Sequence, residues 1–182
     1  MSVKEIITVP DPTLKQKSKP VVNIDKKTLA IIQDLKDTLA FQKSPRGVGI
    51  SAPQIGKLWR ICLIFSKKSK KLLTFINPEI IWKSKRIVAS VPESKNPLEG
   101  CLSVPGYWGQ VKRHKKIKVH YLTPNKQIVI RKFSGFTGTI VQHEIDHLNG
   151  ILFIDRILEQ GEKIYKQEKK EGENVLTEVE II

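Results

Sequence analysis

Between Asp25 and Phe41 the apolar residues Leu29, Ile32, Leu35 and Leu39 recur at steps of three and four. That is the spacing of one face of an α-helix, with Asn23 or Asp25 as its N-cap. The pattern breaks at Lys43-Ser44-Pro45-Arg46-Gly47-Val48-Gly49, a loop signal. Short apolar runs at residues 61–65, 72–76 and 79–82 predict strands, the last two parted by Asn77-Pro78. Residues 117–121 alternate apolar with polar, as a half-buried strand does; the short run 128–130 reads as another such strand, and Thr123-Pro124-Asn125-Lys126 joins the two as a hairpin turn. Residues 136–148 predict a second helix, started by Ser134 or Thr137 and stopped by Asn149-Gly150. Near the start, Val9-Pro10-Asp11-Pro12 marks a turn. The last stretch, residues 159–182, holds seven Glu and four Lys and reads as a solvated helix with a frayed end. The expected organisation is a single domain over 1–158 and a charged C-terminal helix or tail over 159–182.

Composition narrows the class. The 182 residues are 40% apolar and 27% charged, which suits one globular domain and excludes a disordered chain. Two cysteines exclude a disulfide scaffold, and no apolar run reaches the ~20 residues of a membrane span. The N-terminus lacks the apolar core of a signal peptide. The expectation is a cytoplasmic protein with reduced thiols. The net charge is +14, of which the tail contributes −3, so the first 158 residues carry +17. A positive body of that size suits a polyanionic partner.

The chemistry concentrates in Gln142-His143-Glu144-Ile145-Asp146-His147. Two histidines at i and i+4 share one helical face and can reach one metal ion. Glu144 follows the first of them, beside the ion, placed to take a proton from a water that the ion acidifies. A catalytic site usually has a third protein ligand. No His or Cys follows His147, so that ligand comes from upstream, with Cys101 the strongest candidate, or from a Glu in the charged tail. Cys101 stands in Glu99-Gly100-Cys101-Leu102-Ser103, where a glycine permits close backbone approach. Cys62, flanked by Ile61 and Leu63, reads as inert packing. Gly47-Val48-Gly49-Ile50-Ser51-Ala52 fits a dinucleotide fingerprint by letter. No strand precedes it, however, Pro53 falls inside the required helix, and no acidic residue lies within 66–78. It reads instead as a loop offering backbone groups to a ligand, with the Gln54 amide as a donor.

Taken in order, Gly47-Val48-Gly49-Ile50-Ser51-Ala52-Pro53-Gln54, Glu99-Gly100-Cys101-Leu102-Ser103 and Gln142-His143-Glu144-Ile145-Asp146-His147 resemble the three motifs of the peptide deformylase family. The resemblance implies an α+β fold with antiparallel sheets packed around a central helix that bears the His-Glu-x-x-His pair. It implies hydrolysis of the formyl group from the N-terminal formyl-methionine of nascent polypeptides. Cys101, His143 and His147 would hold one divalent ion, iron(II) natively, with zinc, nickel or cobalt as substitutes. Glu144 would be general base and then acid. The Leu102 N–H and the Gln54 side-chain amide would form an oxyanion hole. Val48 would help line the methionine pocket and Gly49 would offer backbone contacts; Ile140, one turn before His143 on the same helical face, is by that spacing a further candidate to line the pocket. Glu99 and Asp146 are candidates for orienting groups, and Asp146 is a candidate partner of Arg113. The partner implied is the ribosome, with Lys67, Lys68, Lys70, Lys71, Lys112, Arg113, Lys115 and Lys116 as candidate contacts to its RNA. A monomer is expected, with no membrane or DNA partner. The competing readings are a general metallopeptidase, a basic RNA-binding module with a structural metal, and a deformylase relative with a different substrate.

Overall fold

The computed structural model describes residues 2–42, 47–66, 69–90, 97–170 and 173–179. The loop reading of Lys43 to Arg46 falls outside them, as do Lys67 and Lys68. In chain order the elements are α1 (Lys26–Phe41), β1 (Gly49–Ser51), β2 (Ile61–Ser66), β3 (Lys71–Lys83), β4 (Ile87–Ala89), β5 (Glu99–Cys101), β6 (Val104–Gly109) and β7 (Lys112–His114). Then follow β8 (Lys116–Leu122), β9 (Ile128–Ser134), α2 (Gly135–Leu148), α3 (Phe153–Gln160), β10 (Ile164–Lys170) and β11 (Glu173–Val179). The class is α+β with antiparallel sheets: a five-stranded sheet ordered β1-β2-β3-β8-β9, a four-stranded sheet ordered β11-β10-β6-β5, and the pair β4-β7.

The five-stranded sheet is covered on both faces, which explains the unbroken apolar run of β2. Cys62 and Ile64 join Phe75, Val119 and Phe133 against Ile140, Val141 and Ile145 of α2. Ile61 and Leu63 point the other way, against Ile32, Leu35 and Leu39 of α1. A strand alternates its side chains, so a strand between two helices needs apolar residues at every position. Cys62 is fully buried, as expected for packing, and burial pushes its thiol well above the usual range. A third apolar cluster joins Phe153 and Ile157 of α3 to Val104, Val111 and Ile164.

α1 begins where expected. Asp25 is its N-cap, its carboxylate accepting from the Thr28 N–H at 2.8 Å, and Asn23 instead offers its carbonyl to the Thr28 hydroxyl. Asn149 ends α2.

Two sequence expectations are corrected. Residues 72–76 and 79–82 are one strand, β3, with a register shift between Ile76 and Glu79 on the β8 side. Asn77 takes φ 51° there, and its side chain bonds Val21 N and O at 2.8 Å each. Pro78 is tolerated because it sits at the irregularity, where the ladder needs no N–H from it. The charged tail is also not a helix past Gln160. Residues 164–170 and 173–179 form a hairpin whose first strand pairs with β6 through Ile164↔Gly109, Tyr165↔Trp108 and Lys166↔Tyr107. The edge of β6 offers backbone partners, and Ile164 and Val179 find apolar neighbours there. Charge composition carries no trace of either.

Candidate metal centre and its cleft

α2 turns one face to the sheet core and the next to a cleft of about 730 Å³. His143 and Glu144 line that cleft from the helix, Cys101 from the end of β5, Val48 and Gly49 from β1 and the residue before it, and Gln54 from the turn after it. The donor atoms of Cys101, His143 and His147 all lie within 4.8 Å of one another. Cys101 Sγ stands 3.2 Å from His147 Nε2. His143 turns its Nδ1 to Glu99 Oε2 at 2.9 Å, which leaves Nε2 for the shared centre. One thiol and two imidazoles around a common point make a donor set that a divalent transition metal takes up readily.

Glu144 is almost fully buried beside this triad, and its Oε2 has no hydrogen-bond partner among the described residues. Burial pushes its carboxyl up to about 7, against the pull of His143 and of a Ser51 hydrogen bond. Gly49 makes the approach possible. A Cβ at residue 49 would collide with Glu144 Oε1 and lie 2.9 Å from Ile140 Cγ2. Ile140 and Leu102 line the same cleft.

Gln54 is held firmly. Its Oε1 accepts from the Ser51 N–H at 2.9 Å and from the Ser51 hydroxyl at 3.1 Å. Its Nε2 is thereby turned to Ser103 Oγ at 3.1 Å and Cys101 Sγ at 3.6 Å. The segment read from sequence as a loop is in fact strand β1 followed by a 3-10 turn, Ala52–Ile55, and that turn aims Gln54 at the cysteine.

Behind the triad runs a chain of charges. Arg113 grips Glu99 through Nε–Oε1 at 2.7 Å and Nη2–Oε2 at 2.8 Å, and reaches Asp146 Oδ2 through Nη1 at 2.6 Å. Arg156 holds the same aspartate, Nη2 to Oδ1 at 2.8 Å. Burial alone would raise Glu99, yet the Arg113 charge and hydrogen bond hold its carboxyl at about 2. Glu99 is therefore a fixed anion under His143. Burial and the His143 charge push His147 well below its ordinary value, so it stands as a neutral imidazole. The pairing of Asp146 with Arg113 is present as expected from sequence. Arg113 is thus no surface contact; it is 6% exposed and committed to two carboxylates. Lys112 is tied to Glu162 at 2.6 Å. Three participants escaped the sequence reading. Ser51 and Ser103 lay inside motifs already singled out and were legible in principle. Arg156 lies ten residues past Asp146, with no local signal.

The polypeptide deformylase family model matches residues 3–163. The chain belongs to this family. The peptide deformylase of Halothermothrix orenii is 41% identical over 165 residues, covering 90% of this chain and 99% of the relative. A Met-Ala-Ser-bound class I type b peptide deformylase from Acinetobacter baumannii superposes with a TM-score of 0.75 at 33% identity, over 86% of this chain and 100% of that one. The peptide deformylase from Thermotoga maritima gives a TM-score of 0.75 at 31% identity, over 86% of this chain and 98% of that one. As a peptide deformylase, the protein is a metal-dependent hydrolase that removes the N-formyl group from nascent polypeptides. No helix among the described residues is long and apolar enough to cross a membrane.

Proposed function

We propose that deformylation takes place at the Cys101–His143–His147 centre, with α2 as the motif-bearing helix at the middle of the fold. The observation that carries this is the cluster itself: three donor atoms within 4.8 Å, beside a buried carboxylate, on the wall of a 730 Å³ cleft. A divalent ion held there would acidify a water and polarise the formyl carbonyl. We assign iron(II) as the native ion, with zinc, nickel and cobalt as substitutes.

Glu144 takes the proton from the attacking water and returns it to the departing amine nitrogen. A carboxyl near 7 is suited to both transfers at neutral pH. The carbonyl oxygen becomes an oxyanion in between, and Gln54 Nε2 and the Leu102 N–H donate to it. Gln54 is locked by Ser51 before substrate arrives, so no ordering cost falls on the reaction step; one such donor is worth about 3 kcal/mol of barrier. Val48 and Ile140 line the pocket for the methionine side chain, and Gly49 offers its backbone to the peptide. The relative that binds Met-Ala-Ser supports a cleft shaped for a deformylated chain end. The competing peptidase and RNA-module readings lose their ground with the family assignment.

We further propose a cytoplasmic monomer that meets its substrates at the ribosome. Lys70, Lys71 and Lys116 are exposed, Lys115 is half-buried, and these four are the remaining described candidates for RNA contact. Ribosome affinity should fall steeply between 50 and 200 mM salt, and salt-insensitive binding would defeat this reading.

The decisive assay measures formate release from formyl-Met-Ala-Ser by nickel-loaded protein, with acetyl-Met-Ala-Ser as control. Release from the formyl peptide alone is the expected result. No release, with one metal bound per chain, would overturn the assignment of this centre.

A further inference from the structure

Beyond residue 163, where the family model ends, the chain runs into the β10–β11 hairpin. Side chains alternate along a strand, so this hairpin has two faces. Ile164 and Val179, opposite each other, turn to the α3 side with Tyr107 and Ile157. Gln167 and Leu176, also opposite each other, belong to the other face. That face meets the cleft through Trp108. The Trp108 Nε1–H donates to Gln167 Oε1 at 3.1 Å. The indole lies across Gly100, where an added Cβ would come within 2.7 Å of ring atoms Cε3 and Cζ3. Gly100 therefore admits the ring next to the ligand Cys101.

A second cavity of about 290 Å³ opens here, lined by Leu98, Trp108, Gln167, Asn174 and Leu176. Leu98, Trp108 and Gln167 also line the 730 Å³ cleft, so the two cavities adjoin across one tryptophan. We propose that the cleft-side face of this hairpin is a specificity subsite for the third and fourth residues of the formylated peptide. It takes an apolar side chain between Leu98, Trp108 and Leu176, while the Gln167 and Asn174 amides engage the peptide backbone. The scale agrees. Neighbouring strands stand ~4.8 Å apart, so β10 lies ~10 Å and β11 ~14 Å from β5, whereas an extended peptide advances ~3.3 Å per residue. A peptide laid across the strands from Cys101 at the end of β5 would reach β10 with its third residue and β11 with its fourth.

The proposal rests on the deformylase reading of the cleft, and one experiment separates the two. The nickel-loaded full chain is assayed for kcat/KM on formyl-Met-Ala-amide, formyl-Met-Ala-Leu-Leu and formyl-Met-Ala-Ser-Ser. The wild type should favour the Leu-Leu peptide over the dipeptide by fivefold or more. Leu176→Ala and Gln167→Ala should lower kcat/KM for that peptide three- to tenfold, through KM, and shrink its advantage over both other substrates. Val175→Ala, on the opposite hairpin face, should leave the ratios unchanged. Thermal unfolding of each variant checks that the hairpin stays folded. Unchanged ratios in Leu176→Ala and Gln167→Ala, an equal shift in Val175→Ala, or no peptide preference in the wild type would overturn the subsite. Failure of the wild type on all three formyl peptides would overturn the reading of the cleft itself.

Discussion

Replacing Arg113 by Met tests whether the buried charge chain supports the fold around the candidate metal centre. The guanidinium has three bonds to two carboxylates and almost no contact with solvent. Met fills much of the same volume without charge. Asp146 would keep Arg156, but among the described residues Glu99 would keep only His143 as a side-chain partner. Breaking a buried pair from one side costs about 3–5 kcal/mol, because the remaining charge stays desolvated. The Glu99 carboxyl gives an independent figure. Its depression from 4.5 to about 2 converts to about 3 kcal/mol of stability at neutral pH. The sign follows from the direction of the shift. The folded value lies below the unfolded one, so this stability is fully present above pH 4.5 and is lost as the pH falls toward 2. In Arg113→Met, burial is left to act and raises Glu99 instead, so the variant's deficit should be widest near pH 7 and should narrow in acid. For a domain of this size about 3–5 kcal/mol lowers the melting temperature by roughly 6–20 °C. Urea and thermal unfolding of metal-loaded wild type and variant, at pH 7 and pH 4, provide the readout. A deficit under about 1 kcal/mol at pH 7, or one that does not narrow at pH 4, would refute the argument. Arg113→Lys, which keeps the charge but loses the two-pronged grip on Glu99, should fall between.

Glu144→Gln should retain one metal per chain and lose roughly 10²–10⁴-fold in kcat, the range of a general acid–base group; metal analysis beside formate release checks both halves. Gly49→Ala should reduce kcat/KM at least tenfold with little loss in melting temperature, since the new methyl displaces Glu144 at the cleft wall; wild-type kinetics would contradict the close approach. Gln54→Ala should lower kcat by roughly 10²–10³-fold if its amide stabilises the oxyanion, and an effect confined to KM would remove it from that role. The iron form should lose activity in air, through oxidation of the metal and of the Cys101 thiolate, while the nickel form persists; equal half-lives would speak against iron-centred sensitivity.

Much of this protein is local in origin and therefore legible along the chain. The period of Leu29, Ile32, Leu35 and Leu39 defined α1, and the i, i+4 pairing of His143 and His147 put two imidazoles on one helical face, because both depend only on the geometry of a single helix. Three short motifs named the family. The alternation in residues 117–121 gave a strand, but not which strands lie beside it. Tertiary structure decided what local patterns cannot encode: contacts between residues far apart in sequence. It brought Cys101 to His147 across 46 positions, and turned Arg113 from a supposed surface cation into the buried clamp between Glu99 and Asp146. It fused two predicted strands through an irregularity at Asn77 and Pro78. It also drew a charged tail into a hairpin against β6. A sheet edge recruits any strand whose backbone and apolar residues fit it, and the free energy of that pairing resides in the partner as much as in the segment. Charge composition therefore said nothing of Gln167, which the hairpin's first strand carries to the cleft wall.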